Sequence, residues 1–173
     1  MQDDESATAA EASPIRSTES ANSREGFYLR LIGLSAVRHS SLDHAIRLLI
    51  SKLASMKSSV GETVMKHQST ERLLGVLKSL TEAPVPADSP LQKPLHDFIK
   101  DARKTNKHRN DMIHGLWVFD HLGGGQRAKK MRTTPPADLE QLPDKELDEL
   151  KQLNRDLDGL IEEVFRLLHR LEE

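Results

Sequence analysis

Residues 144–171 read DKELDELKQLNRDLDGLIEEVFRLLHRL, and the spacing of the leucines in this stretch decides the fold. Leu150, Leu153, Leu157, Leu160, Val164, Leu167 and Leu171 follow one another in alternating steps of three and four. An α-helix turns once in about 3.6 residues, so these steps draw a heptad seam down one side and leave the charges outside it. Such a seam packs either against helices of the same chain or against a second chain in a coiled coil; the first is the simpler reading.

Working outward, the remaining apolar residues also recur at helical spacing. Phe27, Leu31, Leu34, Leu42, Ala45, Ile46, Leu49, Leu53 and Met56 predict a long amphipathic helix over Gly26–Met56, with Ser40-Ser41 as a candidate break. Ser58-Ser59-Val60-Gly61 reads as a breaker. A second helix is predicted over Val64–Leu80, with Leu73, Leu74, Leu77 and Leu80 inward, ended by Ala83-Pro84-Val85-Pro86. Asp88 or Ser89 could cap a third helix starting at Pro90, because proline fits a first turn. Leu91, Leu95, Phe98, Ile99 and Ala102 carry that helix onward. Trp117-Val118-Phe119 and Lys130-Met131-Arg132 form a candidate hairpin around a loop that opens at Gly123-Gly124-Gly125 and closes at Pro135-Pro136. The expected architecture is an all-α, antiparallel four- to five-helix bundle over 25–173, preceded by an acidic tail over 1–24 that lacks periodicity and is expected to be disordered.

Composition agrees with a bundle. Aromatics make up 3% of the 173 residues, so the core must be built from Leu, Ile, Val, Ala and Met, which suits helices better than a sandwich or barrel. The absence of cysteine excludes disulfides, a cysteine nucleophile and thiolate metal sites. The acidic start lacks the positive and apolar regions of a secretory signal, and no apolar run reaches the roughly 18 residues of a membrane span, so a cytoplasmic protein without membrane association is expected. His39, His44, His67, His96, His108, His121 and His169 are scattered, no Glu stands three residues before a His, and neither a metal nor another cofactor is expected.

The net charge of −2 conceals an asymmetry. Between Leu95 and Arg132, nine Lys and Arg face four Asp, a local excess of +5. A basic stretch inside an acidic protein marks a polyanion site. Lys100, Arg103, Lys104 and Lys107 could track a nucleic-acid backbone or form an ordinary solvated helix face. Arg127, Lys129 and Lys130 sit beside the Gly-rich loop and could close over a strand. Trp117 could stack on a base or pack in the core.

The basic run leads into Lys107-His108-Arg109-Asn110-Asp111-Met112-Ile113-His114-Gly115-Leu116-Trp117. Arg109, followed by Asn110 and, after a gap of four, by His114, resembles the Arg-x4-6-His motif of the HEPN superfamily, helical-bundle proteins that include toxin and defence ribonucleases. The Gly after the His and the nearby Trp add to the likeness. Arg103 with His108 and Arg38 with His44 have similar gaps but lack the Asn.

The chemistry suits RNA. Its 2′-hydroxyl is a nucleophile beside the scissile phosphate; a histidine can move the protons and an arginine can hold phosphate oxygens in two parallel hydrogen bonds. His114 is the expected proton-transfer residue, Arg109 the phosphate stabiliser, Asn110 an orienting group and Asp111 a tuning group. On a regular helix residues five apart lie about 140° apart, so Arg109 and His114 would not share a face. The resemblance implies a homodimer with paired motifs across a cleft, RNA as substrate, and a neutralising antitoxin or regulatory protein as partner. Two other expectations stand beside the ribonuclease: a non-catalytic RNA- or nucleotide-binding module, and an interaction protein acting through its C-terminal seam.

Overall fold

The computed structural model describes residues 24–82, 89–113, 116–120, 127–131 and 143–172, with side chains described outside 24–25, 116–120, 127–131 and 143–146. Along the chain these form α1 (Arg24–Leu53), α2 (Ser58–Met65), α3 (Thr70–Glu82), α4 (Gln92–Ile113), β1 (Leu116–Asp120), β2 (Arg127–Met131) and α5 (Pro143–Arg170). The fold is an all-α bundle of five helices carrying one short antiparallel hairpin, in which Trp117 pairs with Lys130 and Leu116 with Met131. Through β2 the hairpin lies against α1 and α5.

The heptad seam of α5 is turned into the bundle. Leu150, Leu153, Leu157, Leu160, Val164 and Leu167 are buried, and Leu171 is partly so. They meet Tyr28, Leu31, Leu42, Ile46, Leu49 and Ile50 of α1, Leu73, Leu74 and Leu77 of α3, and Leu95, Phe98 and Ile99 of α4 in one core. Full burial of such a side chain is worth roughly 1.5–3 kcal/mol, so this cluster dominates the stability. Among the described residues no helix is long and apolar enough to cross a membrane.

Cross-links between helices fix their directions. Leu31 and Ser35 meet Asn154, Arg38 pairs with Asp158, and Lys52 reaches Glu172 at 3.2 Å, so α1 and α5 run parallel. Lys104 and His108 stand opposite Arg155 and Asp156, while Pro94 and Asp97 stand opposite Glu163 and Arg170, so α4 runs antiparallel to α5. The antiparallel arrangement therefore holds for α4 on α5, and the α1–α5 pair is parallel because α2, α3 and α4 intervene in the chain. Asn154 pins that parallel pair. Its buried amide lies 3.2 Å from the Leu31 carbonyl, 2.9 Å from Ser35 Oγ and 2.9 Å from the Leu150 carbonyl, and can donate to all three only by sharing its two hydrogens.

Three boundaries differ from the sequence-based expectation. α1 is unbroken at Ser40-Ser41, because Ser41 Oγ donates to the Val37 carbonyl one turn back and so fits inside a helix. Ser58–Gly61 opens α2 instead of breaking the chain. Gly61 is buried against α1, where a Cβ would collide with Ser51 Oγ, so the glycine serves a close helix crossing. The single helix expected over Val64–Leu80 is divided: α2 ends at Met65, and α3 starts afresh at Thr70 with Ser69 as its cap, the Ser69 hydroxyl accepting from the Arg72 amide at 3.4 Å. The expected tail (apart from Arg24, where α1 begins), Ala83–Pro86, Asp88, Gly123–Gly125 and Pro135-Pro136 lie outside the described residues.

Candidate nucleic-acid interface

α4 carries the basic run and sorts it by helical phase. Leu95, Phe98, Ile99, Ala102, Thr105 and Met112 face the core. Lys100, Lys104 and Lys107, spaced by four and three, form an exposed ridge on the opposite side. Arg103 lies at the border between the two faces, where its Nε donates to Glu71 Oε1 of α3 at 2.9 Å. That pair takes Arg103 out of the ridge; the other exposed charges of α4 are Lys93, Asp97, Asp101 and Asp111.

Arg109 belongs to the other side. It follows Thr105 by four residues and precedes Met112 by three, so it continues the core-facing stripe, and it is half-buried. Its Nη1 donates to Asn110 Oδ1 at 3.1 Å. Asn110, expected to orient a histidine, thus uses its carbonyl oxygen to hold the guanidinium. Asp111 is exposed. α4 ends at Ile113, and His114 lies outside the described residues. Trp117 falls in β1, and Arg127, Lys129 and Lys130 fall in β2; their backbones are placed, with Lys130 opposite Trp117 and Lys129 opposite Val118.

A polar junction that no sequence motif announces lies one turn before Arg109. His39 Nε2 of α1 is 3.1 Å from Asn106 Oδ1 of α4 and 3.1 Å from Thr70 Oγ1 of α3. A carboxamide oxygen only accepts, so Nε2 carries the hydrogen and donates to Asn106. The Nδ1 atom faces Asp43 Oδ2 at 3.8 Å. One imidazole therefore joins three helices and fixes the height of α4 against α1. The available signal was positional: His39 falls four residues after the buried Ser35 and three before the buried Leu42.

A second junction, in which His44 Nδ1 and Arg47 Nε approach Glu62 at 2.8 and 3.4 Å, ties α2 to α1 away from the basic ridge. Among the described residues no group of three or more His, Asp or Glu side chains gathers as a set of metal ligands.

On the far side of α4 from His39, a groove runs between α4 and α5. Its wider part, about 470 Å³, is bordered by Lys104, His108 and Arg155, with Asp101 and Asp156 beside them. A neighbouring depression of about 410 Å³ is bordered by Asp97, Asp101, Glu163 and Arg170. The two meet at Gly159, where no atom stands within 4 Å of the position a Cβ would occupy. Compared with known proteins, the chain matches no family, no curated protein and no solved structure.

Proposed function

We propose that the protein is a metal-independent endoribonuclease of HEPN type, with Arg109 as the phosphate-holding residue and His114 as the proton-transfer residue. The observation that carries this reading is the placing of Arg109: a half-buried guanidinium, held by Asn110, one turn from the end of a helix whose outer side is a lysine ridge.

In this reading, the guanidinium neutralises charge building on the phosphorane oxygens while His114 takes the 2′-hydroxyl proton or protonates the leaving 5′-oxygen. Cleavage leaves a 2′,3′-cyclic phosphate and a 5′-hydroxyl. Two copies in a homodimer would bring two such motifs to one cleft. The cytoplasm, as a toxin or antiphage effector restrained by a protein partner, is the proposed setting. A second reading, an RNA-binding module without catalysis, is favoured by the ridge of Lys100, Lys104 and Lys107, which needs no histidine to bind a backbone.

The test incubates the purified protein with a mixed RNA pool in chelator, beside Arg109→Ala and His114→Ala. Cleavage by the wild type alone supports the enzyme; equal binding without cleavage in all three supports the module. Equal cutting of strands deoxy-substituted at the target ribose sinks the 2′-hydroxyl mechanism.

A further inference from the structure

The groove at Gly159 is unexplained by the bundle. Glycine in a helix interior is about 1 kcal/mol less favourable than alanine, and Gly159 stands mid-way along α5 with room for a larger side chain. Neither packing nor backbone conformation calls for it there. What its small size achieves is an opening between α4 and α5.

Cations and carboxylates from both helices border the opening. Lys104 and His108 come from α4 and Arg155 from α5. Arg155 donates from Nε and Nη2 to Gln152 Oε1 at 3.1 and 2.7 Å, so its guanidinium is held in place by a neutral partner. Gln152 Nε2 in turn donates to Asp156 Oδ1 at 2.7 Å, fixing that carboxylate beside the guanidinium. Asp101 faces it from α4. Leu160 and the buried Thr105 line the groove between them.

Three side chains that are cationic or become so on protonation suit a phosphate. Two carboxylates, which only accept hydrogen bonds when ionised, suit a base edge rich in N–H donors. Guanine presents N1–H and N2–H₂ together on one edge; uracil presents a single N–H there. We infer that the groove between α4 and α5 is a nucleotide subsite, taking a phosphate at Lys104, His108 and Arg155 and a guanine edge at Asp101 or Asp156. The inference deepens the ribonuclease reading by assigning it a base preference, and relies on that reading only for RNA as the source of the nucleotide.

The neighbouring acids give the strand a direction. Asp97, Asp101 and Glu163, against the one cation Arg170, border the adjoining depression and leave it net acidic, which opposes a polyanion there. The RNA therefore leaves the groove over Lys104, which belongs both to its wall and to the outer ridge of Lys100 and Lys107.

Titration of the ¹⁵N-labelled full chain with 5′-GMP, 5′-UMP and inorganic phosphate, in chelator, tests the inference. The expected result is amide shifts confined to residues 101–108 and 152–160, with GMP at least ten-fold tighter than UMP. Gly159→Leu plugs the opening and should weaken GMP at least ten-fold without lowering the melting temperature. Asp101→Asn combined with Asp156→Asn should bring GMP and UMP to within about two-fold while phosphate still binds. Shifts elsewhere, equal affinity for the two nucleotides, or undiminished binding by a folded Gly159→Leu would overturn it. A wild type that binds GMP in the groove yet cuts no RNA sinks the ribonuclease reading and supports the subsite.

Discussion

α5 and α4 are both long helices with one face in the same core, and they use that face differently. In α5 the face is leucine and valine from Leu150 to Leu167, interrupted by Asn154, whose amide is hydrogen-bonded within the α1–α5 contact. In α4 the face begins the same way, with Leu95, Phe98, Ile99 and Ala102, turns polar at Thr105, Asn106 beside it and Arg109, and returns to an apolar side chain at Met112. The difference separates the part of the molecule that holds the fold from the part that holds polar groups at the edge of the core.

The contrast is broken most directly at Leu157, fully buried in the middle of α5. Leu157→Ala should lower the unfolding free energy by about 2–5 kcal/mol, read by chemical denaturation, because the cavity adds to the lost transfer free energy. A change below about 1 kcal/mol would mean that the α5 seam does not lie in the core as described.

Arg109→Ala should act on the other side of the comparison. If the guanidinium stabilises a phosphorane, its loss lowers the cleavage rate by about 10²–10³-fold, the scale of removing one preorganised electrostatic donor. Denaturation midpoints should move far less than for Leu157→Ala. Arg109→Lys should recover little of the rate, since lysine cannot offer two parallel donors. A variant that unfolds easily but cuts RNA normally would place Arg109 among the structural residues.

These two helices also differ in how much of them the sequence made legible. The α5 seam follows from spacing alone, because a three-four alternation has one helical solution, but spacing left open whether it packs within the chain or against a second copy. The ends of the helices were harder. Ser40-Ser41 and Ser58-Ser59 read as breaks by residue type, yet Ser41 donates to the carbonyl four residues back inside α1, and Ser58-Ser59 open α2. Ser69 caps α3, a role that depends on the chain turning just before it. In the candidate site, the basic ridge and Arg109 were visible as residue types, but the junction of His39, Thr70 and Asn106 joins positions far apart in the chain, which no local period encodes.

Glycines sharpen the same point on a smaller scale. Gly61 and Gly33 are both helical, but a Cβ on Gly61 would run into Ser51 Oγ, with Met65 Cε at 3.2 Å, whereas nothing stands within 4 Å at Gly33. Gly61→Ala should therefore destabilise by about 1–3 kcal/mol, as overpacking at a close crossing does. The loss should shrink in the Ser51→Gly background, because the opposing hydroxyl is the obstacle.

Gly33→Ala is the smallest expected effect and carries the opposite sign. The residue lies inside α1 on an exposed face, its backbone is already helical, and alanine meets no atom there. The gain arises mostly in the unfolded chain, which loses the extra conformations of glycine, and should be about 0.5–1 kcal/mol. Since Gly33 touches neither the α4 ridge nor the groove, RNA cleavage should be unchanged while the melting temperature rises. A fall in stability would show that α1 is not a continuous helix at this position, and with it the parallel register of α1 on α5 set by Asn154 and Ser35 would be in error.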